Sequence, residues 1–327
     1  MRIGILGCGR IGRVHAGSVL ALSDTRLVAV ADAIHESARA LADETGSDAR
    51  TAEEIVSADD IDAVVIATPT TTHYDLIHAL ASAGKAIFCE KPIDMSAARI
   101  RECIDAVNRA NIPFMTGFNR RFDPNFARLQ RLISEGEIGN VEIVTILSRD
   151  PSPPPHDYVR TSGGLFRDMM IHDFDMARFL LGEEPDKIHA VGSALVDPEV
   201  ARLGDVDTAA VTLTTPSGRI CQISNSRRAT YGYDQRIEVH GAKGLLRAGN
   251  VHENTVELAN RAGYQSAPAK EFFLERYEAA YRNELESFIS SVRNVTQPVP
   301  SIHDGLKAQL IADAATESWK TGRSVRI

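Results

Sequence analysis

Gly7-Cys8-Gly9-Arg10-Ile11-Gly12 decides the fold. The apolar stretch Arg2 to Leu6 leads into it and reads as a buried strand. An apolar-periodic segment leads out of it toward Ser23 and reads as a helix. A second apolar strand, Arg26 to Ala31, ends on Asp32, 20 residues beyond Gly12. A GxGxxG alone is a weak signal, but strand before, helix after and acid at that distance together mark a dinucleotide site. Each glycine then has a task. Gly7 permits the tight turn, Gly9 lets the backbone approach a pyrophosphate, and Gly12 lets the helix lie close to the strand. The pyrophosphate is expected on the helix N-terminus, where unpaired N–H groups and the dipole favour an anion. Asp32 is expected to accept hydrogen bonds from the adenosine ribose. Its charge would repel a 2′-phosphate, and Ala33 offers no compensating cation, so the reading is NAD rather than NADP.

The pattern repeats outward from that motif. Ala63 to Ala67 is a buried-strand run that stops at Thr68-Pro69, and a helix from about Tyr74 to Ala83 closes on Gly84. Ala86 to Cys89 is another strand, followed by Glu90-Lys91-Pro92. Ser96 caps a helix to about Ala110, and Pro113 to Phe118 is one more strand. Apolar strands separated by helices predict an α/β fold, a doubly wound parallel sheet covered on both faces. The second half differs. Asp123-Pro124 opens a helix to about Ser134, Val141 to Leu147 is a strand, and a helix is predicted from about Gly164 to Leu181. Strand runs at Ile188–Val191, Ala209–Thr214, Ile220–Ser224, Arg236–His240 and Gly244–Arg247 succeed one another without helices, which predicts an antiparallel sheet. Helices from about Glu275 to Val292 and from Gly305 to Thr321 end the chain. Two domains are expected, 1–118 for the cofactor and 119–327 as an α+β domain for substrate and assembly. The last helix is expected to return to the first domain.

Composition sets the class. The 327 residues are 43% hydrophobic and 24% charged, with a net charge of −8, which speaks against a nucleic-acid or anionic-membrane binder. No long uncharged apolar run is present, and with a strand from Arg2 no signal peptide is expected. Cys8, Cys89, Cys103 and Cys221 show no CxxC spacing and read as buried small hydrophobes, which fits a cytoplasmic protein.

Two places carry candidate chemistry. Lys91 follows a strand at the carboxyl edge of the parallel sheet, where doubly wound folds bind ligands. Surface lysines are common, so Lys91 alone decides nothing. Asp168 and His172 are four apart on one predicted helix and share a face, with Asp175 close to it and Asp173 off it. In a mostly apolar helix they are either hydrogen-bonded core groups or pocket groups. An acid and a histidine at that spacing also suit a metal, but no third ligand is in sight and none is expected.

The Gly7–Gly12 motif, Glu90-Lys91-Pro92, and Gly163-Gly164 followed by Asp168 and His172-Asp173 together resemble the Gfo/Idh/MocA oxidoreductase family over essentially the whole chain. Four stretches are similar to its inositol-dehydrogenase branch. They are Gly117 to Asp123, Ser148 to Pro155, Met169 to Arg178, and Tyr231 to Arg236. The resemblance implies oxidation of a ring secondary hydroxyl of a cyclic polyol, myo-inositol first, then scyllo- or chiro-inositol, an aldose or an anhydrosugar. It implies that Lys91 holds the reacting oxygen and stabilises its developing charge, that His172 takes the proton, and that Asp168 binds a neighbouring hydroxyl and orients His172. An imidazole with an unperturbed pKa of about 6.5 suits a base near neutral pH. Arg121 (or Arg120), Asp150, Tyr231 and Tyr233 would bind the remaining hydroxyls, although Arg121 also has Asp123 as a possible partner. Gly7, Gly9, Arg10, Ile11, Gly12, Asp32, Thr68, Pro69, His73, Glu90 and Lys91 form the expected cofactor set. The resemblance also implies a cis Lys91–Pro92 bond and a homotetramer built through the open sheet faces. Two other classes share the framework, an NAD-dependent glycosidase and a non-catalytic NAD-sensing regulator. The intact Lys91, Asp168 and His172 speak against the regulator.

Overall fold

The computed structural model describes residues 1–327, which divide into two compact units, Met1–Phe122 with Glu278–Gln309 and Asp123–Tyr277 with Leu310–Ile327.

The first unit alternates strand and helix: β1 (Arg2–Leu6), α1 (Arg10–Ala21), β2 (Arg26–Ala31), α2 (His35–Thr45), β3 (Asp48–Ala49), α3 (Ala52–Ser57), β4 (Ala63–Ile66), α4 (His73–Ser82), β5 (Ala86–Glu90), α5 (Ala97–Ala110) and β6 (Phe114–Gly117). Its six strands are all parallel in the order β3-β2-β1-β4-β5-β6. The strand order reverses between β1 and β4, which makes the ends of those strands the place where such a sheet receives a ligand. The strands are buried on both sides, as the unbroken apolar runs require. Ile77, Leu80, Ile100 and Cys103 of α4 and α5 fill one side. Ala16 and Val19 of α1 fill the other, joined by Leu285, Phe288 and Ile289 from a helix near the end of the chain. The polar segment α2 and the two-residue β3 carry too little apolar pattern to be predicted. Helix α3 is set by a capping box, with Thr51 and Glu54 each accepting the other's backbone N–H.

The second unit contains α6 (Pro124–Ser134), β7 (Val141–Arg149), α7 (His156–Thr161), α8 (Leu165–Asp168), α9 (Ile171–Leu181), β8 (Lys187–Ser193), α10 (Pro198–Arg202), β9 (Thr208–Thr214), β10 (Ile220–Ser226), β11 (Asp234–Gly241), β12 (Gly244–Ala248), the hairpin β13–β14 (Glu257–Asn260 and Gly263–Ser266), α11 (Phe273–Arg276) and β15 (Val325–Arg326). Its seven-stranded sheet runs β12-β11-β7-β10-β9-β8-β15. The sheet is antiparallel except at β7–β10, which pair parallel, with Ser226 opposite Arg149. Residues alternate along β8: Ile188 and Ala190 are buried, while Lys187, His189 and Val191 are exposed. The inner face packs on α9; the outer face is open in the single chain. The predicted long helix after Tyr277 is α12 (Glu278–Arg293), which belongs to the first unit. Helix α13 (Ile302–Thr321) belongs to the first unit through Gln309 and to the second from Leu310.

One predicted element is corrected. The helix expected from Gly164 to Leu181 is two helices, because the Met170 N–H reaches back five residues to the Leu165 carbonyl. That single wide turn breaks the four-residue ladder between Asp168 and His172, so they do not share one continuous helical face. All four cysteines are buried and free.

Candidate active site

In the first unit the glycine motif sits where β1 and β4 diverge. Gly7 has φ +99°, and a Cβ there would lie 2.5 Å from the Ala67 carbonyl oxygen. A Cβ at Gly12 would lie 1.8 Å from the Gly7 oxygen, so α1 starts hard against the turn. Gly9 is different: a Cβ there would meet nothing within 4 Å. A side chain would occupy that open space, and its absence leaves the backbone approachable. Helix α1 starts with no side-chain cap and no acid in its first turn, so its N–H groups are available to an anion.

Asp32 lies half-buried at the end of β2. Its Oδ2 accepts the Cys8 N–H at 2.7 Å and its Oδ1 the Ile34 N–H at 2.8 Å. The carboxylate is thereby fixed beside the glycine loop with lone pairs left for a ribose. Removing it by Asp32→Ala is expected to narrow the preference for NAD over NADP in kcat/KM by about tenfold, the ratio that 1.4 kcal/mol produces. Parallel titrations with both cofactors check this, and an unchanged ratio removes Asp32 from cofactor selection.

The other residues expected to bind the cofactor fall at or near neighbouring strand ends. Thr68 and Pro69 follow β4. His73 is 1% exposed, with Nδ1 at 3.0 Å from the Pro92 carbonyl and Nε2 at 2.9 Å from the Thr68 carbonyl. Both nitrogens face backbone carbonyls, and the ring donates its N–H to one of them, so His73 braces the two strand ends, and its ring is not offered to a ligand. Burial pulls its pKa below the usual imidazole value. Lys91 is half-buried at the end of β5, and its bond to Pro92 is cis. The Glu90 carboxylate lies 2.7 Å from His15 Nε2. Arg121 lies in a short 3-10 turn, Asn119–Phe122, and donates to Asp304 at 3.1 Å. Its partner is not Asp123, which instead caps α6 and pairs with Arg276.

In the second unit Asp168 is the centre of a polar group. Tyr158 donates its hydroxyl to Oδ1 at 2.7 Å, and Arg227 donates to Oδ2 at 3.0 Å. Burial, with the Asp168 charge, pushes the Tyr158 phenol up, so it remains a donor. Burial alone would weaken the Arg227 charge, but Asp168, Asp150 and Asp205 outweigh it and raise its pKa. Arg227 is 2% exposed and reaches Asp150 at 3.9 Å. The parallel β7–β10 pair explains this meeting. Asp150 and Arg227 are the residues just past two strands that end at the same edge. Gly164, at φ +86°, makes room for Asp205, whose carboxylate caps the Leu165 N–H; a Cβ there would sit 2.7 Å from it. His172 is half-buried in the first turn of α9, between the buried Ile171 and Asp173. Asp173 accepts from Asn225 at 2.9 Å, and Asp175 pairs with Arg178.

The two tyrosines separate. Tyr233 is buried and stands edge-on to Tyr277. Tyr231 is exposed, with its hydroxyl donating to Asp234 at 2.7 Å and accepting from Arg149 at 3.0 Å. Sequence reasoning missed Tyr158 and Arg227. No local spacing ties either to Asp168; the only available signal was that Arg227, like Asp150, lies shortly past a strand run.

Residues 1–118 match the oxidoreductase family with an NAD-binding Rossmann fold, and residues 126–247 match the Gfo/Idh/MocA C-terminal domain. The chain belongs to the Gfo/Idh/MocA family. Within that family it is 54% identical to an inositol 2-dehydrogenase of Rhizobium meliloti, over 100% of this chain and 99% of the relative. It is 44% identical to a myo-inositol 2-dehydrogenase of Thermotoga maritima, over 100% and 98%. The solved scyllo-inositol dehydrogenase of Lactobacillus casei with bound NAD(H) and scyllo-inositol superposes with a TM-score of 0.93 at 30% identity, covering 100% of this chain and 98% of that one. As a Gfo/Idh/MocA protein with a matching Rossmann unit, the chain is an NAD-dependent dehydrogenase acting on a CH–OH group. The α/β fold with a second, mostly antiparallel sheet, expected from the sequence, is borne out.

Proposed function

We propose that this enzyme oxidises a ring hydroxyl of an inositol to the ketone, myo-inositol at C2 first among the isomers. The full-length 54% identity to an inositol 2-dehydrogenase carries the reading. The residues present fit NAD at the side-chain-free Gly9, the uncapped start of α1 and the fixed Asp32. NAD, when bound, supplies the acceptor for the hydride.

In this reading the Lys91 ammonium donates to the reacting oxygen and stabilises its growing negative charge. His172 removes the hydroxyl proton. Asp168, aimed by Tyr158 and Arg227, accepts from a neighbouring hydroxyl. Arg121, Asp150, Tyr231 and Tyr233 are assigned to the rest of the ring. Tyr231 then contributes its exposed ring edge or exchanges its present bonds, since its hydroxyl is engaged. A site that hydrogen-bonds several hydroxyls rejects analogues lacking them by large factors.

The test is a panel of myo-, scyllo- and chiro-inositol, glucose and an anhydrosugar with NAD, followed by absorbance of the reduced cofactor. Myo-inositol is expected to give the highest kcat/KM. Stoichiometric release of sugar from a glycoside without net NADH would replace the dehydrogenase reading with a glycosidase one. The open outer face of the second sheet, with Val191, Ile220 and Leu245 among its exposed residues, supports assembly as a homotetramer. No helix of the chain is long and apolar enough to cross a membrane. The four free thiols support a cytoplasmic location.

A further inference from the structure

Behind Lys91 lies a buried cluster that the proposed chemistry does not use. His15 from α1, Glu90 from β5 and Glu284 from α12 bring one polar atom each within 4.8 Å of one another. His15 and Glu284 are completely buried, and the Glu90 side chain is 13% exposed. The surroundings are apolar and aromatic. Phe88 and Tyr281 stand edge-on to the His15 ring, and Leu285 and Phe288 flank Glu284 in the same core.

The hydrogen bonds assign the protons. His15 Nε2 faces Glu90 Oε1 at 2.7 Å, while His15 Nδ1 has no partner. A buried N–H without an acceptor is costlier than an unused lone pair, so the imidazole carries its proton on Nε2 and donates it to Glu90. On its other side Glu90 is confined by Gly117 of β6, where a Cβ would come within 3.1 Å of the carboxyl group. Neither oxygen of Glu284 accepts a hydrogen bond from the protein. An ionised carboxylate in that position, facing a second one, would have neither solvent nor donor. Burial, followed by the Glu90 charge, pushes the Glu284 carboxyl well above the usual carboxylate range.

We propose that Glu284 is a positioning residue for Lys91: it stays protonated and presents a neutral acid to Glu90, so that Glu90, held between that acid and His15, fixes the strand end from which Lys91 emerges. The role rests on the reading of Lys91 as the oxygen-stabilising group. It explains why an acid from α12, 194 positions beyond Glu90, is buried at this point of the cofactor unit.

Kinetics, infrared spectra and metal content of the full-length enzyme test it. Glu284→Leu, of similar size but with no proton to offer, is expected to lower kcat roughly tenfold at unchanged KM for NAD. Glu284→Gln, which keeps a neutral donor of the same shape, is expected to restore most of that loss. A Leu variant at the wild-type rate, or a Gln variant as slow as Leu, overturns the role. Independently of rate and of how well Leu is tolerated, the infrared spectrum of wild type minus the Gln variant is expected to show the C=O stretch of a protonated carboxyl above the amide I band. Its absence means an ionised Glu284 and overturns the proposal. So does a stoichiometric transition metal in the purified protein that the Gln variant loses. Lys91→Ala separates the two readings. Normal turnover in it removes the assigned role of Lys91 and leaves the infrared band in place. An inactive Lys91 variant beside a normal Leu variant removes only the inference about Glu284.

Discussion

Replacing Lys91 with Ala is expected to lower kcat for polyol oxidation by about 10²-fold or more, the scale of a lost oxyanion donor. The residue stands just past β5, next to β4 and the reversal of strand order, where a doubly wound sheet receives its ligand. It is held there from both sides. Glu90 is tied to His15 and confined by Gly117, and Pro92 is buried with its carbonyl against His73. A lysine so anchored projects from a backbone whose position is already set before substrate arrives. The loss should fall on kcat more than on the KM for NAD, because the glycine loop and Asp32 hold their own hydrogen bonds without it. Steady-state kinetics with myo-inositol and NAD measure this. Turnover within a few-fold of wild type would remove Lys91 from the chemistry.

The second large effect is expected at His172. His172→Ala should cost about 10²–10⁴ in kcat at neutral pH, the range for a lost general base. The wide turn at Met169-Met170 sets where this ring starts. Helix α9 begins anew at Ile171, so the direction of His172 is fixed by its own first turn and not by the ladder that carries Asp168. The buried neighbours Ile171 and Asp173, the latter bonded to Asn225, lock that turn. Truncation at a half-buried position should leave the fold intact, which circular dichroism and thermal unfolding can verify. A folded variant with an unchanged neutral rate would exclude His172 as the base.

The first unit was legible because its constraints are local. A glycine at positive φ, a strand into it, a helix out of it and an acid at the next strand end lie within one short stretch of chain. What stayed hidden has equally physical causes. Helix α2 buries only Ala38, Leu41 and Ala42, too few for a clear period. The β13–β14 hairpin is exposed at every strand position and shows no alternation. The break between α8 and α9 was invisible because apolar residues continue across it; only a hydrogen bond changes its acceptor. The polar groups around the candidate site were the least legible. Arg227 meets Asp168 from 59 positions away, and Glu284 meets Glu90 from still farther. The parallel pairing of β7 with β10, which brings Asp150 beside Arg227, has no signature in either strand alone.

Helix α12 leaves its mark on the order in which the protein can be made. All six strands of the nucleotide-binding sheet leave the ribosome by Gly117, yet Leu285, Phe288 and Ile289, which cover one side of that sheet, are synthesised only after residues 123–277 of the second unit. Each of these side chains contributes roughly 2 kcal/mol when buried. Until they arrive, the nascent sheet keeps an apolar flank bare, and the N-terminal unit cannot finish folding before most of the second has been made. Vectorial synthesis therefore completes the cofactor-binding unit only after most of the second unit, and a fragment ending at Phe122 lacks its closing helix.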